Sequence, residues 1–304
     1  MKPLLLFSVL AAGLLISCSG PKSKAPMKIG FQLYSVRQDL EKDLRGTLQK
    51  VRDMGFEGVE FYNEYGGYTP SEVRKICDDL GLTIFSNHVP FALMMSNLDR
   101  VIQESKVLGV KYITFPYMDV PSRPGVNPEQ FKATVAAIGE VGKKVKEAGF
   151  ILLYHNHDFE FAKLPDGTVG HDYIFATNPD DVQVELDVCW ADFAGADVPA
   201  MVRGYSGRIP VLHMKDYYQE GKLDSDPYAL IGIEKEEGSA GSGKFEYRPL
   251  GKGVMDLDAV IAAAKESGVE WLCVEQDDPS AGAADRFEGP GISVQFLRDR
   301  GFLK

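Results

Sequence analysis

A unit repeated along the chain narrows its possible folds to a few: an amphipathic helix, a glycine, then a short apolar strand. Asp53-Met54-Gly55 precedes GVEFY, and Asp79-Leu80-Gly81 precedes LTIFS. Val107-Leu108-Gly109 precedes VKYITF, Glu147-Ala148-Gly149 precedes FILLYH, and Glu266-Ser267-Gly268 precedes VEWLCVE. Each glycine stands where a helix ends, a position that calls for positive φ, which glycine adopts without steric penalty. The strands are near-continuous apolar runs, as expected when both faces of a parallel sheet are covered. Eight strand candidates follow, at 28–34, 58–62, 82–88, 110–116, 150–157, 182–188, 209–214 and 270–276. Their even alternation with helices predicts a single (β/α)8 TIM barrel over residues 27–304 rather than an open doubly wound sheet.

The helical segments carry the matching period. Phe131, Val135, Ile138, Val141 and Val145 form one apolar stripe, as do Leu44, Leu48 and Val51. No GxGxxG opens a helix, which weakens a dinucleotide-binding alternative. Residues 217–249 break the rhythm. They are polar, include GSAGSGK, and are too long for a simple connection, so they are expected to form a lid or rim excursion.

The first residues belong to no fold. Lys2 is followed by a nearly all-apolar run from Leu4 to Ile16, shorter than a membrane span. The run ends in Leu15-Ile16-Ser17-Cys18, which resembles a bacterial lipobox. Residues 1–17 are therefore expected to be a signal peptide, Cys18 the lipidated residue and 18–26 a flexible tether. The expected location is the cell envelope, facing the periplasm, with the lipid as the only membrane contact. The alternative is an ordinary secretory signal with an incidental cysteine. The formal charge is −11, and an acidic surface repels phosphate backbones, so nucleic acid is excluded as a partner. Cys77, Cys189 and Cys273 form neither a CxxC pair nor a zinc pattern, and Cys273 lies in an apolar strand as a buried small hydrophobe.

In a barrel of this kind, chemistry sits at the C-terminal ends of the strands, and here those ends are polar. They carry Gln32 and Tyr34, Glu60, Asn87-His88, His155-Asn156-His157, Glu185 and Asp187, His213 and Lys215, and Glu275. Four of the five histidines fall at these positions. Side chains alternate along a strand, so Glu185 and Asp187 share a direction, as do His213 and Lys215. Buried carboxylates need a partner, and a divalent cation held by carboxylate and imidazole supplies one. Asp187, His213 and Glu275 come from the sixth, seventh and eighth strands and are the expected ligands. Taken singly, Asp187 would serve equally as a helix cap, and Glu275 as a partner for Lys215.

At these residues the chain resembles the sugar phosphate isomerase/epimerase superfamily, the xylose-isomerase-like barrels. The likeness covers about residues 27–304. It is carried by GFQLYSVR at 30–37, GFEGVEFY at 55–62, YHNHDFEF at 154–161 and VELDVCWADFAG at 184–195. Further on it is carried by VLHMKD at 211–216, LGKGVMD at 250–256 and WLCVEQD at 271–277. The resemblance implies one divalent metal (Mn, Mg, Zn or Co) held by Asp187, His213, Glu275 and a carboxylate from the fifth strand. That strand departs from the pattern, with His155-Asn156-His157 where many relatives have Glu-Asn-His, so the fourth ligand is either His155 or Glu160.

The implied substrate is a small carbohydrate. In an isomerase or epimerase, Glu275 or a fifth-strand group such as His155 would take a proton from carbon, and Lys215 would stabilise the developing oxyanion. Glu60, His88 and His157 would bind hydroxyls, and Trp190 would cover the apolar face of the sugar. A second expectation is a lyase or hydrolase acting on 3-keto-glycosides, which removes the C2 proton and expels the C1 substituent. It is favoured by the export signal, by the absence of a phosphate cradle and by the histidine on strand five. A third is a carbohydrate-binding barrel without catalysis.

Overall fold

The computed structural model describes residues 26–221 and 244–302. The expected signal peptide, Cys18 and the tether up to residue 25 lie outside them. Eight parallel strands close into a barrel: β1 (Lys28–Gln32), β2 (Gly58–Phe61), β3 (Thr83–His88), β4 (Tyr112–Phe115), β5 (Ile151–His155), β6 (Val182–Asp187), β7 (Val211–Met214) and β10 (Trp271–Val274). β1 pairs with β2 on one side and β10 on the other, and the ring runs β1-β10-β7-β6-β5-β4-β3-β2. The eight expected strands are all present, each trimmed at its ends. The fifth stops at His155, so Asn156 and His157 belong to the loop that follows.

The helices cover the outside: α1 (Arg37–Lys42), α2 (Leu44–Met54), α3 (Pro70–Leu80), α4 (Phe91–Leu108), α5 (Pro128–Glu147), α6 (Gly170–Thr177), α7 (Val188–Phe193), α8 (Val198–Gly204), α9 (Leu257–Ser267) and α10 (Glu288–Arg298). Gly81, at φ 69°, ends α3 in the left-handed conformation that the repeated unit called for. The stripe of α5 from Phe131 to Val145 is buried against the sheet.

Two layers fill the barrel. The lower one is apolar, with Phe85, Tyr112, Leu153, Val211, Trp271 and Cys273 in one cluster. Phe85 and Trp271 stack there at 4.3 Å. Gly30 and Gly58 make room for the pair: a Cβ on Gly30 would lie 2.5 Å from the Phe85 ring, and one on Gly58 2.7 Å from Trp271. The upper layer is polar. Gln32, Glu60, Thr114, His155, Glu185 and His213 are all buried there, where such barrels ordinarily carry branched aliphatic side chains.

The irregular stretch after the seventh strand begins as a hairpin. β8 (Asp216–Glu220) pairs antiparallel with β9 (Lys244–Arg248), and residues 222–243 between them lie outside the described residues. Buried Asp216 ties the hairpin to the loop that follows by accepting from the backbone N–H of Tyr217, Gly251, Gly253 and Met255. Cys77, Cys189 and Cys273 are free and buried. No helix among the described residues is long and apolar enough to cross a membrane.

Candidate active site

The polar layer and the strand ends above it form two storeys. In the upper one, His155 closes β5, Asp187 closes β6, His213 is the third residue of β7, and Glu275 follows β10. Register brings them together, because Asp187 stands beside His213 and His213 beside Cys273. One ligand atom from each of His155, Asp187, His213 and Glu275 lies within 4.8 Å of those of the other three. His213 Nδ1 is 2.8 Å from Glu275 Oε2, and His155 Nε2 is 3.9 Å from Asp187 Oδ2.

Asp187 does two jobs. Its Oδ1 caps α7 by accepting from Trp190 N at 3.0 Å, while the buried Oδ2 faces Lys215 Nζ at 3.0 Å and His155 Nε2 at 3.9 Å. Asn156 locks β5 to β6, accepting from Asp187 N at 2.9 Å and donating to Asp187 O. Lys215 is buried, with Nζ 3.0 Å from Asp187, 2.9 Å from Glu275 and 2.8 Å from Asp277. Burial opposes its charge, but these three carboxylates outweigh that and hold its pKa well above the ordinary lysine value. Burial pushes the Glu275 carboxyl up, and Lys215 and His213 overcome it, leaving the group well below the carboxylate range. His155 and His157 are pushed down, first by burial and then by neighbouring cationic groups, so both are neutral imidazoles.

The lower storey centres on Glu185. Its Oε1 lies 2.6 Å from His88 Nε2 and 3.1 Å from His213 Nε2, and its Oε2 accepts from Thr114 Oγ1 at 3.0 Å. Glu60 Oε1 is 2.7 Å from His213 Nε2 and also accepts from Gln32 Nε2 at 2.7 Å. Burial lowers the His88 pKa, but Glu60 and Glu185 reverse this and raise it to about 9.

A cavity opens above both storeys, and its wall is divided by chemistry. The end of β3 and the loops after β1 to β4 supply Tyr34, Tyr62, His88, Pro90, Pro116 and Tyr117. The end of β5 and the loops after β5, β7 and β10 supply His155, His157, Lys215, Glu275 and Asp277. Among the described residues no arginine lines the wall.

Three expectations about single residues are corrected. Glu160 does not join the ligand group; it turns back to accept from Tyr154 Oη at 2.6 Å and His157 N at 2.8 Å, and His155 stands in the fourth position. Glu60 is fully buried beneath the cavity and binds protein imidazoles, so it does not reach a substrate hydroxyl. Trp190 is fully buried and packs with Tyr247, Phe193 and Phe245 as core. His88, His155, His157, Lys215 and Glu275 line the cavity as expected from the strand ends. Sequence reasoning missed Asp277 as a partner of Lys215 and Glu185 as the hub of the lower storey.

The donor set of two carboxylate oxygens and two imidazole nitrogens, all on buried residues and within 4.8 Å of one another, suits a divalent cation of hard to borderline character. Together the barrel and this centre define an enzyme of the TIM-barrel class with its chemistry at the carboxyl ends of the strands. Residues 48–300 match the family described as xylose isomerase-like TIM barrel, and the chain belongs to that family. It is 26% identical over 296 residues to an inosose dehydratase of Bacillus cereus, covering 86% of this chain and 91% of that one. A sugar phosphate isomerase/epimerase from Parabacteroides distasonis has the same fold, at 24% identity and a TM-score of 0.70, covering 93% of this chain and 99% of that one. A xylose isomerase-like barrel from Mycobacterium smegmatis, in complex with magnesium, superposes with a TM-score of 0.60 at 14% identity, covering 90% of this chain and 96% of the other. The chain is an enzyme of the sugar isomerase, epimerase and dehydratase kind, which replaces the expectation of a non-catalytic binding barrel.

Proposed function

We propose that this enzyme removes a proton from the carbon next to the carbonyl of a neutral keto-sugar and returns it as an isomerase or epimerase, working through the enediolate of its substrate. The observation that carries the reading is Glu275: a buried carboxylate on the cavity wall, 2.9 Å from Lys215 Nζ and 2.8 Å from His213 Nδ1, and held ionised by both. An ionised, desolvated carboxylate is a competent general base.

A divalent cation, when bound by His155, Asp187, His213 and Glu275, would polarise the carbonyl and spread the charge of the enediolate. The protein's own groups divide the remaining work. Glu275 accepts the proton from carbon. The Lys215 ammonium, anchored by Asp187 and Asp277, lies beside it to balance negative charge as it develops on oxygen. His88 and His157 offer ring nitrogens to sugar hydroxyls, and Tyr34, Tyr62 and Tyr117 border the less polar side. Among the described residues the wall carries no arginine, and its one cationic chain, Lys215, is already paired with three carboxylates, which favours a sugar without phosphate.

A second reading is elimination: proton removal at C2 of a 3-keto-glycoside with loss of the C1 substituent. The fifth strand favours it. It presents the neutral imidazoles of His155 and His157 rather than a second carboxylate base, and a neutral imidazole can take up a proton and, as the imidazolium so formed, hand it to the oxygen of a leaving group. The inosose dehydratase similarity points the same way, since a dehydratase eliminates water. Incubating free sugars and 3-keto-glycosides in deuterated water, followed by NMR, tests both. Deuterium at carbon without cleavage supports the isomerase or epimerase, and a released aglycone supports elimination. A panel that neither exchanges nor cleaves counts against both.

We also infer from the N-terminal sequence that the enzyme is anchored in the cell envelope through Cys18, where it would meet glycosides rather than cytoplasmic sugar phosphates. Cys18→Ala should abolish lipid labelling and move the protein out of the membrane fraction. Unchanged labelling would refute the anchor.

A further inference from the structure

We propose that Glu185 is a positioning residue: from the storey below the cavity it fixes which nitrogen of His155 and His213 carries the proton, and so turns both lone pairs up toward Asp187 and Glu275. The inference rests on the functional reading that His155, Asp187, His213 and Glu275 hold a divalent cation.

The geometry is that of one anion serving several rings. Glu185 Oε1 lies 3.1 Å from His213 Nε2 and 3.3 Å from His155 Nδ1, in addition to its 2.6 Å contact with His88. The opposite nitrogens of the same two rings face the upper storey, His213 Nδ1 toward Glu275 and His155 Nε2 toward Asp187. A neutral imidazole has one N–H and one lone pair. With a cation bound above, both rings are neutral: Glu185 takes the N–H at His155 Nδ1, and Glu185 together with the closer Glu60 takes it at His213 Nε2, which leaves each lone pair pointing up. Glu185 is itself held in place, with Thr114 Oγ1 donating to Oε2 at 3.0 Å and Ser86 Oγ 2.9 Å from that hydroxyl. It is fully buried and does not line the cavity, so it acts through the histidines and not on substrate.

The charge count fits as well. Asp187 and Glu275 give the coordinating set two negative charges, and Glu185, on the neighbouring strand and paired in register with His155, adds a third one layer down. His88, His155, Glu185 and His213 also bring ligand atoms within 4.8 Å of each other. A second cation there would, however, require His155 and His213 to ligate through both nitrogens and lose both ring protons. Orientation of the rings needs no such cost.

The test is zinc titration of the full chain, wild type and Glu185→Gln, with NMR of the zinc-loaded proteins labelled with 15N-histidine. Expected is a loss of zinc affinity of roughly 10- to 100-fold in the variant. The N–H resonance at His155 Nδ1 should shift, and that at His213 Nε2 should shift less, because Glu60 remains 2.7 Å away. Wild-type affinity in Glu185→Gln, or unmoved N–H resonances, overturns the inference while leaving the metal site standing. A wild-type chain that binds no zinc overturns both. If Glu185→Gln fails to fold, Thr114→Val keeps the carboxylate but frees its Oε2. A several-fold loss of zinc affinity is expected there, and none overturns the inference.

Discussion

Glu275 shows how one residue's role follows from its neighbours. Lys215 and His213 hold it ionised inside the barrel, where burial alone would protonate it. Glu275→Gln should leave the fold intact by circular dichroism and reduce turnover by about 10²- to 10⁴-fold, the usual worth of a general base; near-wild-type turnover would remove it from the chemistry. Glu160 follows the opposite logic. Burial outweighs its bonds to Tyr154 and His157 N and raises its pKa from 4.5 to about 8. Between those values the folded state keeps a proton that the unfolded state has lost, so stability falls as pH rises through that window. Glu160→Gln mimics the protonated form. Urea unfolding should find it close to wild type at pH 5 and the more stable of the two at pH 9, by on the order of 1–3 kcal/mol. Parallel stability profiles would refute the assignment. The sequence made Asp187, His213 and Glu275 legible as a group because alternation along successive parallel strands decides direction. It did not reveal depth. Glu60 pairs in register with Gln32 one layer below the cavity, and Glu160 turns away from it in the loop after β5.

Strands and their glycines were the most readable elements. An apolar run after a helix-ending glycine marked five of the eight barrel strands, β2, β3, β4, β5 and β10, and only the ends shifted, because a strand's last residues pair less regularly than its middle. The bulge between Val59 and Glu60, where β2 slips against β3, left no sequence signal. Nor did the reason for Gly30 and Gly58, which appears only once Phe85 and Trp271 are seen stacked across the barrel from them. Gly58→Ala would put its Cβ 2.7 Å from the Thr83 carbonyl oxygen as well as from Trp271. Overpacking of this kind costs about 1–3 kcal/mol, so thermal unfolding should shift down by several degrees. Gly204→Ala, with nothing within 4 Å of the added carbon, should leave the midpoint unchanged or slightly raised. Equal midpoints for the two variants would contradict the packing account. The hairpin of β8 and β9 was foreseen only as an excursion. Its anchoring by Asp216 depends on three backbone N–H groups of a loop more than thirty residues further along the chain.

At the scale of the whole molecule, a closed barrel converts distance along the chain into proximity. His155, Asp187, His213 and Glu275 span 120 residues, yet adjoining strands deliver them to one mouth. The fold supplies the apolar floor and the ring of helices, the polar layer orients the histidines, and the loops set the divided wall that a sugar would meet. Metal content joins these levels. Elemental analysis of the gently purified enzyme should find about one divalent cation per chain, bound by the two carboxylates and two imidazoles. Asp187→Asn, folded but stripped of one ligand, should retain almost none. A wild-type enzyme that turns over keto-sugar without metal, or an Asp187→Asn variant that keeps a full equivalent, would contradict the account.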